Sequence, residues 1–464
     1  MPGPTEQDVG PRPEEQRAPR PQRGEELELR IDSLAFGGAG VARSNGYVVF
    51  VAGTVPGDRV RAVVRKRKRA YGEAAVVEIL DPGPDRVQPR AEHPGAPWQI
   101  LPYDRQLEVK QEQVEDALRR LGGFQDITPE PIVPAGEIWR YRNKVEYSFG
   151  SDSEGRLICG FHAPGRWEEI VEVTDCLLAS EASDALRDRA VAWCRSHGLA
   201  PYDRRTGQGV VRNLVVREGR RTGQLQARLV TSTSSRLDLD SLAEALRPVD
   251  SLLWTGLDSV AEVTRGGRTE VISGADHIEE EIGGLRMRVS AEAFFQTNTE
   301  MAERLYAEAI ELAGLSGLER VYDLYCGIGT IALLLAPRVA EVWGLEIVEQ
   351  AVADALANAR LNEITNARFF AGDVRLALRE LVEEAGRPDV LVVDPPRAGL
   401  SQKIVRRVVE AAPRRIVYVS CNPTTLAPNA AQLVAAGYRL TRVRPVDMFP
   451  QTPHIECVAV LDRG

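Results

Sequence analysis

Cys421 directly follows the apolar run RIVYVS, so it stands where a buried strand would end and a thiol could reach a cleft. Alone it would be a small core residue, as free cysteines usually are. Two other segments give it company. The run DVLVVD ends in Asp394-Pro395-Pro396-Arg397, whose prolines hold a loop extended, and a final strand-like stretch contains His454-Ile455-Glu456. A rigid Asp-Pro-Pro turn can offer its carboxyl and carbonyls to the edge of a planar base. Thiol, turn and carboxylate over one pocket suit a reaction at a carbon too weak to act as a nucleophile unaided, and carbon 5 of uracil is such a carbon. A thiolate added at carbon 6 pushes electron density onto carbon 5 as an enolate, which can take a methyl group. Carbon 5 then holds both methyl and hydrogen, so a base must remove the proton before the thiol leaves by elimination. Cys421 is the candidate nucleophile and Glu456 the candidate base. Only a small fraction of a free thiol is ionised at neutral pH, so nearby donors or a helix terminus are expected to depress the pKa of Cys421.

A methyl donor needs its own site. The strand-like VYDLY runs into Cys326-Gly327-Ile328-Gly329-Thr330 and a helix, where two glycines permit a tight turn and close approach to a ligand. Glu346 ends the next strand, VWGLE, where a carboxylate can accept hydrogen bonds from both ribose hydroxyls of an adenosine. Ala371-Gly372-Asp373 follows ARFF, in position for the adenine edge. The third glycine of the dinucleotide fingerprint is replaced by Ala332, and no phosphate-loop lysine is present. Adenosine without phosphates fits best, which points to S-adenosylmethionine.

These segments require a scaffold. From about Met287 strand-like VYDLY, VWGLE, DVLVVD and RIVYVS alternate with helical TIALLLA, EQAVADALANARLN and QKIVRRVVEAA, the order that builds a parallel sheet with helices on both faces. Ligands of such sheets sit outside the carboxyl ends of the strands, where all the residues above fall. Residues 287–464 are therefore expected to form an α/β, Rossmann-like domain. Residues 83–286 mix a helix over Tyr103–Leu121 with strand-like KVEYSFG, LICGFHA, VVRNLVVRE and QLQARLVT, a central α+β unit. Residues 25–82 carry ELELRID, YVVFVAG, RVRAVVRK and GEAAVVEIL between glycine turns, a small antiparallel barrel. Arg59 to Tyr71 holds seven basic residues and no acidic one, either a strand edge protected by charge or a surface for phosphates. Residues 1–24, with six prolines and few large apolar side chains, are expected to be disordered.

Composition removes several classes. A chain of 464 residues needs several domains. No run of about 18 apolar residues exists, and the first residues lack an apolar secretory core, so a cytoplasmic protein without a membrane span is expected. Six scattered cysteines with no CxxC pair argue against a disulfide framework. The net charge of −9 excludes a surface that is basic throughout but leaves room for a local basic patch.

Together these segments resemble the bacterial RNA (uracil-5-)-methyltransferases that act on ribosomal RNA or the T-loop of tRNA. Phe294-Phe295-Gln296-Thr297-Asn298, Asp323-Leu324-Tyr325-Cys326-Gly327, Asp394-Pro395-Pro396-Arg397, Ser420-Cys421-Asn422-Pro423 and His454-Ile455-Glu456 occur in the family's order, and the likeness covers nearly everything after residue 24. It implies a class I methyltransferase domain preceded by a TRAM-like, OB-like barrel and a central domain. It also implies that Gln296, Tyr325, Glu346, Asp373 and Asp394 line the S-adenosylmethionine and uracil pockets, with Cys421 as nucleophile and Glu456 as proton acceptor. One departure stands out. Ribosomal RNA members with the barrel usually hold a four-iron cluster on four cysteines, whereas the matching stretch here reads VQPRAEHPGAPW and only Cys176 remains at the fourth position. One thiolate cannot hold a cubane. No iron–sulfur cluster and no metal is expected, with packing around His93 and Trp98 in its place.

The expected partner is structured RNA, ribosomal RNA being favoured over tRNA because of the barrel, and the default assembly is a monomer. Two other readings compete. A methyltransferase of exocyclic amines would need only the Asp-Pro-Pro turn, and a non-catalytic RNA-binding factor would need only the barrel; neither gives Cys421 a task.

Overall fold

The computed structural model describes residues 20–464 apart from Ser235, Val260 and Glu262. Of the tail expected over residues 1–24, residues 1–19 lie outside the described residues, while Gly24 already donates its N–H to the Val64 carbonyl at 2.8 Å. The chain divides into two compact units, Met1–Arg86 and Val87–Gly464.

In the first unit β1 (Glu26–Leu34), β2 (Gly40–Ser44), β3 (Tyr47–Ala52), β4 (Arg59–Arg67) and β5 (Tyr71–Asp81) close into a barrel in the order β1-β2-β3-β5-β4. Alternation drives it: Leu29, Ile31, Val49, Val51, Val60, Ala62 and Val64 point inward and are buried. β2 is short and begins at Gly40, where a Cβ would lie 2.0 Å from the Thr54 hydroxyl. Its one sheltered alternation is too brief to stand out in sequence. Asp58 is sealed inside, accepting the N–H groups of Val55 and Gly83 (both 2.8 Å) and a guanidinium fork from Arg86. On the outside, cross-strand carboxylates match Arg59 (Asp81, 2.7 Å), Arg61 (Glu78, 2.8 Å) and Lys66 (Glu73, 3.0 Å). Among the described residues Arg65, Arg67, Lys68 and Arg69 have no ion-pair partner, and all four are exposed.

The second unit begins with α1 (Tyr103–Arg120). A seven-stranded sheet follows, built from β6 (Lys144–Ser151), β7 (Leu157–Ala163), β8 (Arg166–Glu172), β9 (Val211–Glu218), β10 (Leu225–Thr231), β11 (Ser251–Gly256) and β12 (Arg268–Gly274) in the order β12-β11-β10-β9-β6-β7-β8. Helices α2 (Glu181–Ser196) and α3 (Leu239–Ala245) contribute Leu186, Ala190 and Leu242 to the core formed by Tyr147, Phe149, Cys159, Leu214 and Leu229 of the sheet. The hairpin β13 (His277–Ile282) and β14 (Leu285–Ser290) leads to α4 (Thr299–Ala313).

The last sheet contains β15 (Arg320–Leu324), β16 (Glu341–Glu346), β17 (Ala367–Ala371), β18 (Val390–Val393), β19 (Arg415–Ser420), β20 (Tyr438–Val446) and β21 (Glu456–Arg463), ordered β17-β16-β15-β18-β19-β21-β20. Between them run α5 (Thr330–Leu335), α6 (Glu349–Leu361), α7 (Val374–Ala385), α8 (Gln402–Ala411) and α9 (Pro423–Ala435). β15 to β19 are parallel and almost continuously apolar, as strands covered on both faces must be. Strand order reverses between β15 and β18, which opens a crevice at their carboxyl ends. β21 is antiparallel to both neighbours, with Ser420 registered opposite Cys457. Among the described residues no helix is long and apolar enough to cross a membrane.

Candidate active site

The carboxyl rim of the last sheet gathers two groups of side chains. The first surrounds the turn after β15. Tyr325 takes a φ of 66°, a left-handed conformation that bulky residues rarely adopt, and its N–H donates to the Leu345 carbonyl at 2.9 Å. Glu346 braces the turn: one carboxylate oxygen accepts the Gly327 N–H at 3.1 Å and the other the Val348 N–H at 2.9 Å. A Cβ at Gly329 would press on Phe369 (3.0 Å) and Ala355 (3.1 Å), so that glycine serves helix packing. A Cβ at Gly327 would meet nothing within 4 Å, so that glycine faces open space beside Glu346. Ile347 and Val348 are 62% and 53% exposed next to it, an apolar surface that a flat base would cover. Asp373 caps α7 through the Arg375 N–H (2.8 Å) and pairs with the Arg375 side chain, which holds its carboxyl below the usual range. A braced carboxylate, an open glycine and exposed aliphatic side chains together fit an adenosine.

The second group is a nest of acids to which no cation is bonded among the described residues. The antiparallel register Ser420↔Cys457 brings Cys421, one residue beyond β19, opposite Glu456, the first residue of β21. Glu456 is buried, and its Oε2 has no hydrogen-bond partner among the described residues. Burial, then the Asp394 carboxyl, raises its pKa well above the usual range. Burial alone pushes Asp394 up to about 7. Asp323, at the end of β15, is fully buried with neither oxygen hydrogen-bonded among the described residues; burial and Asp394 raise its pKa, and the Ala332 backbone offsets part of the rise. Tyr306 of α4 is buried among Asp394, Glu456 and Asp323, with the Gln296 side chain beside its hydroxyl. Gln296 is itself buried, and its backbone carbonyl accepts the Asn143 side-chain N–H at 2.8 Å.

The thiol corrects one expectation. The pKa of Cys421 is not depressed: burial, then the charges of Glu456 and Asp394, pushes it up to about 11, against which Arg397 is the lowering charge. The terminus of α9 gives no relief because Asn422 caps it, accepting from the Thr424 N–H (3.0 Å) and hydroxyl (2.7 Å). The Asn422 amide also donates to the Arg397 carbonyl at 3.0 Å, which ties the Asp-Pro-Pro-Arg turn to the thiol's strand. His454 is held neutral, its pKa lowered to about 4 by burial and then by the Arg397, Arg142 and Lys110 charges. Tyr306 was not singled out from sequence, and Asp323 only as the first residue of the Asp323-Leu324-Tyr325-Cys326-Gly327 motif, without a role. Asp323 reads as one polar residue inside a strand, and Tyr306 as one aromatic in an amphipathic helix.

Elsewhere, His93 Nε2 lies 3.4 Å from Cys176 Sγ, both side chains buried. Burial lowers the histidine to about 4 and raises the thiol, so both are neutral. Trp98 is buried nearby in sequence, its ring facing Lys110 Nζ at 5.5 Å.

Comparison with known proteins gives these features a family. The tRNA (Uracil-5-)-methyltransferase family matches residues 238–464 and the TRAM domain residues 20–77. An RNA methyltransferase of Halalkalibacterium halodurans is 38% identical, the match covering 94% of this chain and 96% of its own. One of Chlorobaculum tepidum is 39% identical, covering 97% and 99%. The crystal structure of Pyrococcus abyssi tRNA (uracil-54, C5)-methyltransferase in complex with S-adenosyl-L-homocysteine superposes with a TM-score of 0.75 at 28% identity, covering 94% of this chain and 100% of that one. The chain belongs to the RNA (uracil-5-)-methyltransferase family. It is an S-adenosylmethionine-dependent enzyme acting on carbon 5 of uracil in RNA, with an N-terminal TRAM barrel joined to an α/β methyltransferase fold.

Proposed function

We propose that the enzyme works through a covalent adduct between Cys421 and carbon 6 of the target uridine. The observation that carries this reading is the β19–β21 register, which sets the half-buried thiol opposite Glu456, whose Oε2 has no hydrogen-bond partner among the described residues. Cys421 Sγ adds to carbon 6 as a thiolate, its proton leaving to solvent, and the ring electrons move to carbon 5 and the carbonyl oxygen at carbon 4. S-adenosylmethionine, when bound, supplies the electrophilic methyl group that carbon 5 accepts. Glu456 then takes the carbon 5 proton, the ring double bond re-forms, and the sulfur departs as thiolate. Burial, then the Asp394 carboxyl, raises Glu456, so the two carboxyls carry at most about one negative charge near neutral pH, and Glu456 acts as the base after giving up its own proton. Glu346, Tyr325 and Asp373 hold the donor, and Gln296 and Asp394 meet the uracil.

The chain's organisation follows: 25–82 and 83–286 grip RNA and 287–464 performs catalysis, in the cytoplasm and as a monomer. The first reading of the substrate, a uridine of 23S ribosomal RNA, comes from the resemblance to ribosomal RNA members that carry the barrel. A second reading, a T-loop uridine of tRNA, is favoured by the Pyrococcus relative, whose match covers 94% of this chain and so leaves too little out for the barrel to be missing. The barrel therefore does not separate the two substrates.

Incubation with S-adenosylmethionine and 5-fluorouridine transcripts of 23S ribosomal RNA and of tRNA tests both points. Fluorine cannot leave as a proton, so a complex resistant to denaturing electrophoresis is expected with the true substrate and is absent in Cys421→Ala. No such complex with either RNA would sink the covalent route.

A further inference from the structure

The central sheet carries a second feature that suits RNA. Its core face packs on α2, and on the opposite face Ser148, His162 and Asn213 form a polar chain: the Ser148 hydroxyl lies 3.1 Å from His162 Nε2 and accepts the Asn213 side-chain N–H at 3.1 Å. Beside that chain, at the β8 edge, a cavity of about 270 Å³ opens between Trp167 and the loop Tyr202–Arg205. Trp167 is 56% exposed, large for an indole on an edge strand, and its backbone carbonyl is held by the His162 ring. The Arg204 guanidinium lies 5.8 Å from the Trp167 ring, and that of Arg212 lies 4.4 Å over Tyr202. Three arginines against Glu168 and Asp203 leave the lining net positive. Arg205 meets Glu168 at 3.2 Å, but both side chains are more than half exposed, so this pair is weak and an anion can displace it.

An exposed indole flanked by guanidinium groups in one cavity is the chemistry that recognises an unstacked base and its phosphate. We propose that this cavity binds one unpaired nucleotide of the RNA substrate, its base stacked on Trp167 and its phosphate held by Arg204 and Arg205. The reading rests on the chain being an RNA methyltransferase, but the site uses none of the side chains assigned to catalysis. It gives the central domain a defined contact that orients the RNA while the target uridine enters the catalytic pocket. His162 adds a condition: burial, and then the Arg204 charge, lowers its pKa, so at neutral pH it is uncharged and, with its ring nitrogens turned to Ser148 and the Trp167 carbonyl, it braces the indole's strand rather than adding to phosphate attraction.

The test uses the full chain and a fluorescein-labelled oligouridylate of about 12 nucleotides, a length within the range such sites cover. Anisotropy is followed over a potassium chloride series. Trp167→Ala is expected to weaken binding about tenfold, Trp167→Phe to retain most of it, and the double variant R204Q/R205Q to flatten the salt dependence by about 1.5 units. A 4-thiouridine version of the oligomer should photo-crosslink to the peptide containing Trp167. If Trp167→Ala binds within twofold of the wild type while its circular dichroism and melting temperature are unchanged, or if crosslinks fall only elsewhere, the proposal is overturned. Should the 5-fluorouridine adduct still form in that case, only the nucleotide pocket fails. Trp167-dependent oligomer binding without any adduct would instead retire the covalent mechanism and leave the pocket standing.

Discussion

Asp447 and Glu456 bracket one short loop, and both are sealed from solvent, yet they face opposite surroundings. Asp447 accepts Lys110 Nζ at 2.6 Å, both side chains being wholly buried, and Lys110 also donates to the Phe449 carbonyl at 3.1 Å. Next to this pair Gln106 and Gln451 exchange hydrogen bonds of 2.8 and 2.9 Å, so α1 clamps the loop that leads into β21. Among the described residues Glu456 has no cation bonded to it; its neighbours are Asp394 and the raised thiol of Cys421. A folded chain ordinarily matches each buried charge. Where it leaves one unmatched at a cleft, stability has been traded for a group free to exchange a proton. The matched end of the loop fixes position, and the unmatched end carries the carboxyl proposed to react.

The largest expected effect breaks the reactive end alone. Glu456→Gln keeps shape and removes the proposed base, so turnover should fall by about 10²–10⁴ while the proposed Cys421 adduct still forms and accumulates. Stability should change by less than about 1 kcal/mol, since no ion pair is lost. Quenched-flow turnover with gel detection of the adduct checks the first statement, and a urea melt the second. A variant that turns over normally would remove Glu456 from the chemistry.

Breaking the matched end should do the reverse. Lys110→Met leaves Asp447 buried without its cation, at a cost of about 3–5 kcal/mol. Urea unfolding measures the loss, and Lys110→Met combined with Asp447→Leu should recover much of it. Equal destabilisation in the single and double variants would show that the pair is not what secures the loop.

A smaller effect sharpens the description of the rim. With its pKa pushed up to about 11, the Cys421 thiol of the free enzyme is mostly protonated at neutral pH. Its alkylation by iodoacetamide should rise about tenfold per pH unit between roughly pH 7 and 9. The other five cysteines are buried, so labelling reports on Cys421 and vanishes in Cys421→Ala. A rate already flat near pH 7 would mean a depressed thiol and restore the expectation drawn from sequence.

That expectation failed for a reason that applies to the rest of the molecule. The parallel strands were legible because burial on both faces writes a continuous apolar run: RIVYVS coincides with β19, and VWGLE and DVLVVD fall within a residue or so of β16 and β18. Turns such as Asp394-Pro395-Pro396 carry their geometry in the residue types. A pKa does not, because it depends on which charges the fold brings near, and the two acids beside Cys421 come from the turn after β18 and from β21, far apart in sequence. The insertion of β21 between β19 and β20 is equally silent, since a buried antiparallel strand reads like a parallel one. So are Asp323 and Tyr306, whose roles arise only when β15 and α4 meet the acids of the rim.

The same contrast of matched and unmatched charge recurs on the barrel, where it predicts the smallest effect. The basic run Arg59 to Tyr71 looked uniform in sequence, but strand pairing divides it. Arg61 and Lys66 face carboxylates across the ladder, as a strand edge guarding its solubility would. Arg67 and Lys68 have no such partner among the described residues and stand in solvent. Only the second set is free to replace counterions along a phosphate backbone. Arg67→Gln with Lys68→Gln should therefore weaken RNA binding several-fold and lower the slope of log affinity against log salt by about 1.5, leaving kcat unchanged. Arg61→Gln with Lys66→Gln removes the same formal charge yet should move the slope by much less, because each lost cation frees a carboxylate that was already neutralised. Equal slopes for the two double variants would mean that net charge, not pairing, governs how the barrel meets RNA.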